Sequence, residues 1–305
     1  LLLACAKPEK NQEETADIKR PGPFGQENAV WAESKFFRGY STSTKEKVTE
    51  KDIADFALNL KKNKIKYAYL FAGPFTDEGR LPEYPFSTFA RQSMDRIRSH
   101  YPELQLLVWV GGIQNKQVYL DSPQWRKNAV SALDSLLAFL DADGALLDFE
   151  YMLIREKGLK KGTAEQEKQA IAEYGGNVIA FHRELREGLP GTFIGAVVTS
   201  TAPDVNPWKR KTPMHELNEL VKYIDQLSFL CYDTDIHDST TYRANLFQQV
   251  DDIRLLKSNA GENSPQFLIA IGTFINPPNL QKYRDMRFEN IPNTKTDLRK
   301  AEEDE

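Results

Sequence analysis

The sequence predicts an α/β fold: a (β/α)8 (TIM) barrel whose eighth strand is missing from this chain. Three observations predict it. Apolar runs of strand length recur seven times, helical patterns separate them, and no Gly-x-Gly-x-x-Gly follows the first run. Strands buried on both faces and joined through helices form a parallel sheet. Regular repetition beyond six units favours a closed barrel over an open doubly wound sheet, and the missing glycine fingerprint weakens the dinucleotide-binding alternative.

The predicted strands are Phe36–Ser41, Tyr67–Ala72, Leu106–Gly111, Ala145–Tyr151, Phe193–Thr199, Leu227–Asp233 and Phe267–Thr273. Between them, Thr49–Ile65 opens with Thr49 and Asp52 at capping-box spacing and aligns Ile53, Phe56, Ala57 and Leu60 on one face. Ser122-Pro123 reads as an N-cap with a first-turn proline, followed by Ala129, Leu133, Leu136, Leu137 and Leu140. Residues 163–187 and 239–257 repeat the pattern, with Ile171, Tyr174, Val178 and Leu185 on one and Val250, Ile253 and Leu256 on the other. Past Thr273, nothing in Asn276-Pro277-Pro278 or the polar end at Lys300–Glu305 reads as an eighth strand.

Composition narrows the function. The 305 residues are 40% hydrophobic and 28% charged, enough apolar mass for a proper core and too much for disorder. Forty Lys and Arg against 44 Asp and Glu give a net charge of -4 with no basic stripe, which argues against a nucleic-acid partner. No apolar run reaches the ~18 to 20 residues of a membrane-spanning helix. Two cysteines cannot make a disulfide scaffold, and Cys231, flanked by Phe229 and Leu230, reads as buried and inert. His100, His182, His215 and His237 show no i, i+4 pair, so neither a metal nor a cofactor is expected.

In a barrel of this kind the chemistry sits at the C-terminal ends of the strands. The fourth run reads Asp143-Gly144-Ala145-Leu146-Leu147-Asp148-Phe149-Glu150-Tyr151. A period of two puts Gly144, Leu146, Asp148 and Glu150 on one face and the apolar Ala145, Leu147 and Phe149 on the other. The apolar set must face the helices, so both carboxylates point into the mouth. Confined side by side, two acids repel, which raises the pKa of one while the other stays ionised. That arrangement suits a general acid beside an electrostatic partner; the competing reading is a pair neutralised by Lys or Arg at the strand exit.

Asp143-Gly144, Asp148 and Glu150 resemble the fourth-strand signature of family 18 glycoside hydrolases, the chitinases and endo-β-N-acetylglucosaminidases, whose pattern is Asp-Gly-x-Asp-x-Asp-x-Glu. Leu146 replaces the family's inner Asp. Trp109-Val110-Gly111-Gly112 is similar to the family's Ser-x-Gly-Gly on the third strand, and Leu230-Cys231-Tyr232-Asp233 to its Met-x-Tyr-Asp on the sixth. The resemblance implies a retaining glycosidase in which the substrate's own 2-acetamido oxygen is the nucleophile. It implies Glu150 as acid and base, Asp148 as the carboxylate that orients the acetamido group and steadies the cationic intermediate, and Tyr232 as a hydrogen-bond donor to the acetamido oxygen. Asp233 would contact the sugar. A catalytically silent glycan-binding relative is the alternative, and the loss of the inner acid at Leu146 favours it.

Other sugar contacts expected at the rim are Tyr40 at the end of the first strand, Trp109, Trp208 after the fifth strand, and Tyr84 and Phe86 after the second. Lys160-Lys161 and Lys209-Arg210-Lys211 read as solvated rim charge, with attraction of an anionic glycan as the alternative. At the other end of the chain, Leu2-Leu3-Ala4-Cys5 resembles the lipobox of bacterial lipoproteins. The resemblance implies a lipid-modified Cys5 anchoring the protein to the bacterial envelope, with Ala6 after it pointing to the outer membrane. The expected organisation is then residues 1–5 as the signal's end, 6–28 as a tether, and 29–305 as a monomeric barrel cut short at both ends.

Overall fold

A computed structural model describes residues 28–42, 44–152, 164–202, 205, 209–232 and 238–271. Seven strands, β1 (Asn28–Ala32), β2 (Ile65–Pro74), β3 (Gln105–Ile113), β4 (Gly144–Glu150), β5 (Phe193–Thr199), β6 (Gln226–Leu230) and β7 (Gln266–Ala270), lie in one sheet in chain order. Every neighbouring pair is parallel. The helices between them are α1 (Lys35–Arg38), α2 (Glu50–Lys62), α3 (Thr88–His100), α4 (Pro123–Leu140), α5 (Ala164–Gly188), α6 (Met214–Leu220) and α7 (Ser239–Ala260). Among the described residues none is long and apolar enough to cross a membrane.

The sheet curls into most of a barrel. Tyr69 on β2 donates to Gln226 Oε1 on β6 at 2.5 Å, though three strands separate them in the sheet. Gln226 Nε2 passes the bond on to Gln266 Oε1 of β7 at 2.6 Å. The ring of Tyr67 on β2 likewise lies 5.5 Å from that of Phe193 on β5. Among the described residues β7 is not paired with β1, so the described sheet is a seven-stranded TIM barrel left open.

Alternation along the strands separates two cores. Ala68 and Leu70 of β2, Leu106 and Val108 of β3, Ala145 and Leu147 of β4, and Leu227 and Phe229 of β6 face the helices. Tyr67, Tyr69, Leu107, Leu146, Val197 and Leu230 fill the lumen. Capping fixes where the helices begin. Thr49 and Asp52 form a reciprocal capping box on α2, the Ser122 hydroxyl accepts from Trp125 N at 3.3 Å ahead of Pro123, and Asp238 accepts from Thr241 N at 2.7 Å on α7.

One predicted strand is a helix. Phe36–Ser41 begins inside α1, and the first strand is Asn28–Ala32, within and just after the stretch read as tether. Phe36 and Phe37 are both buried, which consecutive residues of a half-exposed strand cannot be. Gly39, in the left-handed region at φ 77°, ends the turn. The sequence Asn28-Ala29-Val30-Trp31-Ala32 gives little apolar signal because two of its five positions are alanine; in place, Trp31 packs its ring 4.8 Å from Tyr69 in the lumen.

Candidate active site

At its N-terminal end β4 is anchored by Asp143, whose Oδ2 accepts from Leu106 N at 2.7 Å and from Arg98 Nη2 at 3.2 Å. Gly144 follows, where a Cβ would run into the carbonyl of Phe193 on β5. From there Leu146 points into the lumen, fully buried, and Asp148 and Glu150 follow on the same face toward the mouth. Ala145, Leu147 and Phe149 take the other side, with Phe149 edge-on to Phe181 of α5 at 5.2 Å. On β3, Gly111 is paired with Asp148 in the sheet, and a Cβ there would collide with the Asp148 carbonyl. Gly112 adopts φ 141°, which only glycine tolerates readily. Gly111 thus lets the third strand approach the Asp148 backbone, while a Cβ on Gly112 would press on Gln117 and Val118 of the loop that follows β3.

Trp109 donates its indole Nε1–H to Asp148 Oδ2 at 3.3 Å, while its ring lies 4.7 Å from Phe71 of β2. Lys209, in the segment after β5, ion-pairs with Glu150 Oε1. Its position is set by backbone: Lys209 forms an antiparallel bridge with Met152, and Arg210 N donates to Tyr151 O at 2.9 Å. Tyr232, just beyond β6, completes the constellation from the lumen cluster.

The electrostatics follow. Burial, reinforced by the negative charge of Glu150, raises the Asp148 carboxyl to about 6, against the opposing pull of Lys209 and of the Trp109 bond. The Tyr232 hydroxyl is pushed up to about 12 by burial and then by Asp148 and Glu150, the charges it faces. On the far side of the Glu150 strand, the Arg210 guanidinium binds Glu216 Oε1 at 2.6 Å and stands 5.5 Å from the Tyr174 ring. Gly175 makes room for that pair, since a Cβ there would strike the Glu216 carboxylate.

Four sequence-derived candidates, Glu150, Asp148, Tyr232 and Trp109, therefore come together. Others do not. Tyr40 follows α1 instead of closing a strand, is 40% exposed, and pairs by backbone with Lys47. Tyr84 and Phe86, in the 3-10 turn Tyr84–Phe86, face helices: Arg38 sits 3.6 Å over the Tyr84 ring and Phe86 packs 5.8 Å from Phe139 of α4. The Lys209-Arg210-Lys211 run is not solvated rim charge, since Lys209 and Arg210 are engaged with Glu150 and Glu216 and Lys211 binds the Val205 carbonyl. Cys231 is fully buried and its thiol is pushed up to about 11 by burial. Cys5, Lys160-Lys161, Trp208, Asp233 and the chain after residue 271 lie outside the described residues. Lys209, read from the sequence only as rim charge, is the cation at the strand exit that the competing reading of the acid pair described. Its signal was the need of two adjacent acids for a cation at the strand exit.

No protein-family model matches the chain, and no curated protein matches it. Solved structures do. The chain is similar to the C-terminal domain of a protein described as a chitinase in Desulfitobacterium hafniense DCB-2, at 16% identity and TM-score 0.53 over 80% of this chain and 65% of that one. It is similar to the Bacillus cereus spore cortex-lytic enzyme SleL, at 12% identity and TM-score 0.53 over 86% of this chain and 58% of that one. It is also similar to the chitinase domain of the spore coat protein CotE from Clostridium difficile, at 17% identity and TM-score 0.51 over 86% and 69%. The chain thus spans less than two thirds of the first two structures. Likeness at this identity shows the fold, and that fold is the TIM barrel.

Proposed function

We propose that the protein is a retaining glycosidase acting on glycans with β-linked N-acetylglucosamine, of the chitin-like or N-glycan-core class. The observation that carries this reading is the placement of Asp148 and Glu150 at the C-terminal end of β4, facing the mouth beside Trp109 and Tyr232. In the first step the 2-acetamido oxygen attacks the anomeric carbon, the glycosidic bond breaks, and a proton from Glu150 goes to the leaving oxygen. In the second, Glu150 takes a proton from water as it opens the oxazolinium ion. Asp148 holds the acetamido N–H and, when ionised, stabilises the positive intermediate; the Tyr232 hydroxyl, neutral at working pH, donates to the acetamido oxygen. Asp233, Tyr40 and Trp208 are assigned to sugar contacts only by the sequence resemblance.

The protein is incubated with chitin oligomers, N-glycoprotein and peptidoglycan, and the products of wild type and Glu150→Gln are compared by mass spectrometry. Cleavage that the substitution abolishes supports the reading. Cleavage of glycans lacking the 2-acetamido group would sink the substrate-assisted mechanism. A second reading, a silent glycan-binding protein, is favoured by two observations: Leu146 is apolar where the resemblance calls for an acid, and Lys209 occupies the Glu150 oxygen region from which a proton must leave. Binding without products from either form decides for it. We further propose lipid attachment at Cys5 and an envelope location, which labelled fatty-acid incorporation lost in Cys5→Ala would test.

A further inference from the structure

Directly beneath the two acids on their own strand the lumen is lined by a leucine. Leu146, one step below Asp148 on the same face, is fully buried among Tyr69, Leu107 and Val197 and offers no polar atom. An acid at the bottom of such a pair could share its proton and steady its charge; a leucine can do neither. Titratable groups surround Glu150 on every side. Asp148 lies on its own strand, Tyr232 after β6, and Tyr174 on α5 with the Arg210–Glu216 pair behind it; β3 contributes only the neutral Trp109 indole. Arg210 is committed to Glu216 and to the Ile171 carbonyl at 3.0 Å. The cation delivered to the acids is therefore Lys209, itself mostly buried, with its side chain 16% exposed.

Lys209 reaches the acids by a built device. The segment after β4 and the segment after β5 are joined by the Met152–Lys209 bridge and the Arg210 N–Tyr151 O bond, so two main-chain contacts fix the root of the side chain over Glu150. A surface lysine searching for a partner would lose rotamer entropy on pairing, and the exposed pair would contribute little. A part-buried pair on a fixed backbone is a different object.

We propose that Lys209 is a positioning residue of the acid pair: anchored by the seam between the segments after β4 and β5, its ammonium supplies a counter-charge beside the two carboxylates, and it keeps Asp148 available as a carboxylate. The inference rests on the glycosidase reading for its catalytic consequence, but not for its electrostatic one. Lys209 already opposes the upward push on Asp148, so removing it moves Asp148 further up. The ionised Asp148 is the form that steadies a cationic intermediate, so the acidic limb of the pH profile must follow.

The test uses the full chain with Lys209→Met and Lys209→Arg, both checked for native circular dichroism. Carboxyl carbon NMR of labelled Asp and Glu follows the Asp148 titration without substrate, and kcat and KM on a chitin oligomer are measured against pH. In Lys209→Met the Asp148 midpoint rises by about one pH unit, the usual size for loss of one nearby opposite charge. The acidic limb moves with it, a tenfold loss on the acidic side that appears in kcat with KM unchanged. Lys209→Arg retains both midpoint and limb. If Lys209→Met does not fold, a Lys209→Gln variant takes its place with the same expected shift. An unmoved Asp148 midpoint overturns the proposal whether or not the protein hydrolyses anything, and so does a gain of hydrolysis in Lys209→Met, which would make the lysine a block. A moved midpoint with no hydrolysis by any form supports the pairing and overturns the glycosidase reading alone.

Discussion

The two ends of β4 carry the same chemistry in opposite states. At the lower end Asp143 is enclosed by donors: a main-chain N–H of β3 and the Arg98 guanidinium of α3. At the upper end Asp148 has one long indole bond and Glu150 one lysine, and the two repel each other. The lower acid is a fastener, and the barrel uses the same fastener again. Asp225, just ahead of β6, accepts from Ile194 N of β5 at 2.8 Å and from Arg186 Nη2 of α5 at 2.6 Å. What distinguishes a structural acid from a chemical one here is the number of fixed donors, since a carboxylate already satisfied has no reason to exchange a proton.

That contrast can be broken most severely at Glu150. Glu150→Gln removes the proposed acid and base while keeping the shape, and on that proposal hydrolysis should fall by about 10²- to 10⁴-fold, read from product release by mass spectrometry. At the opposite end Asp143→Ala should behave in reverse. It strands Leu106 N–H and Arg98, so stability in urea should drop by about 2 kcal/mol while turnover per folded molecule is unchanged. Equal loss of turnover would mean that the lower acid is not merely a fastener.

The next effect is a pH dependence. Folding raises Asp148 above its unfolded value, so between the ordinary carboxylate range and about pH 6 the native state holds more protons than the unfolded chain. Stability from this group is therefore greatest in acid, falls as pH rises through that window, and is level above it. Asp148→Asn cannot titrate, so the melting temperature of wild type relative to the variant should decline from pH 4 to pH 6; a flat difference would show that Asp148 is not strained by its surroundings. The smallest effect belongs to Trp109→Phe, which keeps the ring and removes the N–H. It should raise the Asp148 midpoint by ~0.5 unit, measurable by the same NMR titration.

Much of the site was legible because it is written on one strand. Period-two alternation alone sent Asp148 and Glu150 inward, and the Trp109, Gly111 and Gly112 run and Tyr232 lay at the ends of two neighbouring apolar segments. The helix starts at Thr49 and Ser122 were equally local, since a cap is a bond between residues three apart. The first strand was not legible: Phe36 and Phe37 advertise strand more loudly than Asn28–Ala32, and only packing against α3 turns them into a helix. Nor could Tyr84 and Phe86 be kept from the cleft by sequence, since what holds them away is Arg38 and Phe139.

By itself, then, the sequence determined six of the seven described strands, the face on which the two acids stand and the apolar residue beneath them, because these depend on local spacings and runs. Which cation answers those acids was decided only by the tertiary structure. Lys209 lies 59 residues from Glu150 and beside an arginine of equal charge, and the two diverge because the backbone seam at Met152 and Tyr151 turns one side chain to the mouth and the other to Glu216. A salt bridge between distant segments has no period to read; it exists only once the chain has folded around it.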